Sequence, residues 1–162
     1  MKPSRLRHTV AITAVGALLV LSMRPAWAEL GGLPMQPPAR DNLATVQVMS
    51  HAAATVDDGY SLRETTLGTG TIIREYISTN NTVFGIAWRG PVKPNVADLL
   101  GQYFSQYASG VSTTHAARGI RAPVSIDTDT FVVRVGGHMG SFIGRAWLPQ
   151  LLPAGITGND VQ

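Results

Sequence analysis

Between residues 60 and 89 three runs rich in β-branched and aromatic residues alternate with two short turn segments, and this pattern restricts the fold more than any other feature. The runs are 60–67, 71–78 and 83–89, separated by Gly68-Thr69-Gly70 and Asn80-Asn81. Gly and Asn tolerate the positive φ of tight hairpins, so strands joined this closely form an antiparallel meander. A two-residue turn at Asn80-Asn81 sets Ile77 opposite Phe84, Ile73 opposite Trp88 and Glu75 opposite Ile86. A three-residue turn instead puts Arg74 on the face of Phe84, Ile86 and Trp88. Either register sets one charge in an apolar stripe.

After Gly90-Pro91 and Pro94, the residues Val96, Leu99, Leu100, Tyr103, Phe104 and Tyr107 recur at helical spacing. Asn95 suits the N-cap, Asp98 the positive end of the dipole, and Gly110 the stop. The Ser/Thr-rich stretch 111–122 reads as an exposed loop. Two further strands, 131–135 and 141–148, flank the turn Gly136-Gly137-His138-Met139-Gly140, with 124–126 as a short edge piece. From 41 to 50 two readings stand: a short helix capped by Asp41 with Leu43, Val46 and Met49 on one face, or a strand favoured by Thr45, Val46 and Val48. The expected fold is α+β, an antiparallel sheet of about five strands (meander plus C-terminal hairpin) with one main amphipathic helix packed on it.

The start of the chain has the three zones of a secretory signal peptide: Lys2, Arg5 and Arg7, then an apolar run over 10–21, then Arg24-Pro25-Ala26-Trp27-Ala28. The run is shorter than the roughly 20 residues that span a bilayer. Cleavage is therefore expected after Ala28, leaving Glu29 as the first mature residue and no membrane association afterwards. The expected organisation is a signal peptide over 1–28, a flexible Gly/Pro-rich arm over 29–40, a single domain over 41–155 and a frayed tail over 156–162. Four of the 13 basic residues leave with the signal, so nine face 10 acidic ones and the balance falls to about −1. A nucleic-acid partner needs a basic surplus; none remains, and the remaining arginines are scattered along the sequence. The absence of cysteine removes disulfides, thiolate metal sites and cysteine nucleophiles, so stability rests on packing.

Several short motifs occur in order: Leu30-Gly31-Gly32, Gly70-Thr71, Arg74-Glu75-Tyr76, Val83-Phe84, Ala87-Trp88-Arg89-Gly90-Pro91, Gly136-Gly137-His138-Met139, Gly144-Arg145-Ala146 and Leu152-Pro153-Ala154-Gly155. In this order they resemble the bacterial domain-of-unknown-function family 2844 over nearly the whole mature chain. The resemblance implies an exported proteobacterial protein, periplasmic or secreted. It carries no catalytic residues over.

Local chemistry is sparse. His138 and Met139 offer an imidazole and a thioether, a pairing that suits copper, but two neighbouring ligands do not complete a site, and His51 and His115 lie at no ligand spacing. Glu75, on an apolar face, would have its pKa pushed up as a general acid or base needs, although a cross-strand ion pair with an arginine is the simpler role. Asp127-Thr128-Asp129 lacks the glycine and distal glutamate of a calcium loop. No serine sits in a nucleophile elbow, and Gly68-Thr69-Gly70 lacks the lysine and helix of a nucleotide loop. The leading expectation is a non-enzymatic accessory or binding protein of the cell envelope, without a cofactor, whose partner is another envelope protein or component. The alternatives are an envelope hydrolase using Glu75 and a periplasmic copper-binding protein using His138 and Met139. Oligomeric state is left open.

Overall fold

The computed structural model describes residues 29–35, 44–51 and 59–162. Its frame is a seven-stranded antiparallel sheet in the order β1-β2-β3-β4-β7-β6-β5. The strands are β1 (Thr45–His51), β2 (Tyr60–Thr66), β3 (Ile72–Ser78), β4 (Val83–Gly90), β5 (Val124–Asp127), β6 (Val132–His138) and β7 (Ser141–Trp147). The α+β class expected from the sequence is present, but with seven strands rather than about five. The additions are β1, which resolves the helix-or-strand alternative for this stretch, and β5, a four-residue edge. Asp41, the proposed cap of the helical alternative, lies outside the described residues, as do the signal segment and Ala28.

The β3–β4 hairpin combines the two registers that the sequence allowed. Its loop holds three residues, 79–81, with Asn81 at φ 62 and its amide donating to the Ser78 carbonyl. The extra residue is absorbed by a bulge, so that Ile77 faces Val83 while Glu75 still faces Ile86 and Ile73 still faces Trp88. Phe84 and Gly85 consequently both turn toward one side of the sheet, where Phe84 joins Tyr76 and Gly85 meets Val161.

The helical part departs from expectation in two ways. A short α1 (Val96–Leu100) is followed by a 3-10 turn (Gly101–Tyr103) and then by α2 (Phe104–Arg118). Gly101, at φ 49, breaks the run just where the Glu29 side chain abuts it. A helix stop at Gly110 and a loop after it are not found. Gly110 lies inside α2, and its lack of a side chain lets Ile126 of β5 approach the helix. The helix runs on to Gly119 because nothing in 111–118 breaks it; hydroxyls at Ser109 and Thr113 bond back to carbonyls four residues earlier. The C-terminal turn is likewise narrower than expected: Gly136, Gly137 and His138 belong to β6, and only Met139 and Gly140 form the loop.

Two apolar layers flank the sheet. On the helix face Ile73, Ile86, Trp88 and Val133 pack with Val96, Leu99, Leu100 and Tyr107. Tyr103 stacks on Phe131 with ring centroids 5.1 Å apart. On the opposite face, here the tail face, Leu62, Tyr76, Phe84, Val132 and Trp147 are covered by Ile156 and Val161. The final residues therefore do not fray: Val161 is fully buried, the Gln162 amide donates to the Tyr76 hydroxyl, and that hydroxyl donates to the Gln162 main-chain oxygen. Asp160 closes the preceding turn by accepting from the amide and hydroxyl of Thr157, bonds that hold its carboxyl below the ordinary value. Nor do residues 29–35 form a free arm. Leu30 and Met35 are buried, and main-chain bonds tie Leu30 to Leu99 and both Gly31 and Gly32 to Val83.

Trp88 lies across Gly144, its cross-strand partner, so closely that a Cβ on Gly144 would fall inside the indole. Gly144→Ala forces Trp88 off its position, and overpacking of this kind costs about 1–3 kcal/mol. Urea unfolding should show a lower midpoint with an unchanged slope; an unshifted midpoint would mean that the indole has room to move.

Candidate functional site

Glu75 sits at the centre of the helix face. It stands opposite Ile86 on β4 and opposite Arg63 on β2, and its side chain is wholly buried. Its Oε1 accepts the Met35 amide at 2.7 Å, while Arg63 Nη1 donates to the Met35 carbonyl at 2.8 Å. The two side chains thus grip one residue of the leading segment from both ends of its backbone. Burial pushes the Glu75 carboxyl above its ordinary value, against the opposing pull of the Met35 amide and the Arg63 charge. Four polar atoms in this layer, Glu75 Oε2, Arg63 Nε, Thr65 Oγ1 and Trp88 Nε1, have no hydrogen-bond partner among the described residues. The arrangement is a buried clamp on Met35 with no opening to solvent at Glu75.

His138 and Met139 occupy the tip of the β6–β7 hairpin. Met139 is 90 % exposed, and His138 Nδ1 lies 3.0 Å from the Met139 carbonyl. Among the described residues no three His, Cys, Asp or Glu side chains come together in a metal-binding group. His115 is in the last turn of α2; His51 ends β1, and its side chain lies outside the description.

The tail face carries a feature that the sequence reading missed. Arginines separated along the chain are neighbours across the strands. Register places Glu64, Arg74, Ala87, Arg145 and Arg134 side by side on β2, β3, β4, β7 and β6. The next row contains Ile72, Arg89 and Ile143. Strands lie about 4.8 Å apart, so the four arginines fall within a patch roughly 14 Å wide. Their scatter along the sequence is thus misleading: residues of matching parity on paired strands share a face wherever they fall in the chain. The signal was available in the alternation of each strand, but reading it required the order β3-β4-β7-β6, which joins segments 60 residues apart.

Around Ala87 this patch becomes a cavity of about 720 Å³, bounded by the four arginines, Ile72, Ile143 and Gln162. It lies beside the rows of Tyr76, Gly85 and Trp147, which Val161 packs against, and Gln162 forms part of its wall. Two arginines are held in place by packing: the guanidinium groups of Arg134 and Arg145 lie 5.3 and 5.6 Å from the centre of the Trp147 ring. Arg74 is held by Glu64 at 2.8 Å and by the Gln162 main-chain oxygen at 3.1 Å. Arg134 has a looser contact with Asp127 at 3.6 Å. Arg89 is exposed and has no hydrogen bond or ion pair among the described residues. Glu75 does not line this cavity, and neither does the His138-Met139 tip.

The titration of Glu75 gives a signed expectation. A carboxyl raised in the folded state binds its proton more tightly there, so its contribution to stability is complete below the ordinary value of 4.5 and is lost as pH rises through the raised one. Glu75→Gln removes that dependence. The thermal midpoint of the variant should fall less than that of the parent between pH 4.5 and neutrality; parallel profiles would show that Glu75 does not titrate in the core.

Among the described residues no helix is long and apolar enough to cross a membrane. No curated protein and no solved structure matches the chain. A family model described as "Protein of unknown function (DUF2844)" matches residues 26–161, a span that takes in both sheet faces, the helices and the covering tail, and the chain belongs to that family.

Proposed function

We propose that the chain is an exported, non-enzymatic binding protein of the cell envelope, and that the cavity on the tail face holds its ligand. The observation that carries this reading is the cavity itself: about 720 Å³, floored by the small side chain of Ala87 and walled by arginines already oriented by Trp147 and Glu64. Its volume lies within the range of small-molecule sites, which combine apolar walls with a few placed polar groups. Side chains fixed before the ligand arrives reduce the ordering cost of binding. Export is supported by the basic, apolar and small-residue zones that precede Glu29.

Fractionation of the native host combined with native mass spectrometry tests both parts. The chain should be recovered from the periplasm or medium, beginning at Glu29 and carrying a bound mass. Ala87→Phe fills the floor of the cavity and should release that mass from protein that still melts cooperatively; if the larger ring unfolds the buried position, Ala87→Leu narrows the same floor at lower cost. A cytosolic chain with Met1 intact, or a bound mass retained by the variant, would overturn the proposal.

A further inference from the structure

The tail-face cavity places two kinds of surface beside each other. One row is basic, with Arg74, Arg145 and Arg134 around Ala87. The adjacent row sets Arg89 between Ile72 and Ile143, and Ile143 is 59 % exposed. An isoleucine left open at the edge of a cavity is apolar surface whose removal from water favours a ligand that covers it.

The charges are unevenly compensated. Glu64 answers Arg74 and Asp127 answers Arg134, which leaves Arg89 and Arg145 without a carboxylate among the described residues. Arg145 has a single contact to a main-chain oxygen, that of Val161 at 3.5 Å, beyond the usual hydrogen-bond range. Arg89 and Arg145 are diagonal neighbours, because Ala87 faces Arg145 while Arg89 faces Ile143. Diagonal positions lie roughly 7–8 Å apart, so two long side chains can converge on one head group. A guanidinium keeps its charge throughout the accessible pH range and offers a planar fork of donors that suits carboxylate and phosphate oxygens.

From this juxtaposition we infer that the cavity binds a monomeric anionic amphiphile, a single phosphate or carboxylate head held by Arg89 and Arg145 on an apolar body that covers Ile72, Ala87 and Ile143. This rests on the binding reading above and adds the ligand class. A small inorganic anion leaves the isoleucines wet, and a neutral amphiphile leaves two guanidinium groups covered but unpaired, which is unfavourable. The site is concave, so it suits one molecule at a time more than a flat anionic surface.

The test is calorimetric titration of the purified chain with dodecyl phosphate below its micelle concentration, beside dodecyl maltoside, inorganic phosphate and phosphatidylglycerol vesicles. Dodecyl phosphate should bind at least about 10-fold more tightly than either small control, and Arg89→Gln should weaken it by about 10-fold or more, the usual consequence of losing one charge-assisted contact. Arg89 is exposed and structurally unpartnered among the described residues, so this variant should melt with the parent; Arg145→Gln is the companion variant. Ala87→Phe should abolish binding. Equal binding of dodecyl maltoside, blocked by Ala87→Phe, would overturn the anionic class and leave the cavity a binding site. Equal binding of inorganic phosphate would overturn the apolar component, and binding to vesicles alone would overturn the monomeric ligand. No binding of any probe would count against both this inference and the binding reading.

Discussion

Strand β4 is buried on both sides from Val83 to Trp88, and that double burial dictates the rest of the architecture. A central strand with Ile86 and Trp88 on one face and Phe84 and Ala87 on the other needs two covers. Without disulfides those covers are held by packing and hydrogen bonds alone. The helices and residues 29–35 provide one, and the tail ending in Val161 provides the other. The covers differ in extent: the helix face is sealed across β3, β4 and β7, while the tail reaches only part of the opposite face. The arginine-lined cavity lies on that opposite face, beside the residues packed under Val161.

The meander, a charge set in its apolar stripe and the existence of a helix after Pro94 were legible because each is encoded within about 30 residues; whether Glu75 or Arg74 holds that place was not, because it depends on a bulge between Tyr76 and Ile77. Turn chemistry at Gly68-Thr69-Gly70 and at Asn80-Asn81 separates the strands, and apolar spacing marks the first turns of the helix. Local signals failed where a glycine had two possible duties. Gly110 reads as a stop but serves as a contact surface for Ile126, whereas Gly101, unremarked in the sequence, is where the helix breaks. Residues 29–35 depart from expectation for a related reason. Gly31, Gly32 and Pro34 suggest mobile backbone, but the partners that fix this segment, Leu99, Val83 and Glu75, are distant in sequence.

The same distinction governs the candidate site. The charged position in the apolar stripe of β3 was visible from alternation, and it belongs to a buried clamp. The cavity was invisible because it is assembled from β3, β4, β6 and β7 at once, and no window of the sequence contains more than two of its arginines close together. Composition concealed it as well: only 13 of 162 residues are basic, yet four of them gather on one face. Net charge constrains the whole surface and says little about a patch.

The contacts that hold the two covers have a consequence for the order of folding. Met35 and Glu75 are 40 residues apart, and Tyr76 and Gln162 are 86 apart. Neither can close until the central strands exist, and loop closure over such separations slows the search for the native topology. The leading segment finds its partners Glu75, Val83 and Leu99 once β3, β4 and the first helical turn have formed, whereas the covering segment at 161–162 must close across about twice the separation of Met35 and Glu75. A nascent intermediate would expose the apolar surface of β4 until both ends arrive, which makes the interval between synthesis and docking the period of greatest vulnerability to aggregation.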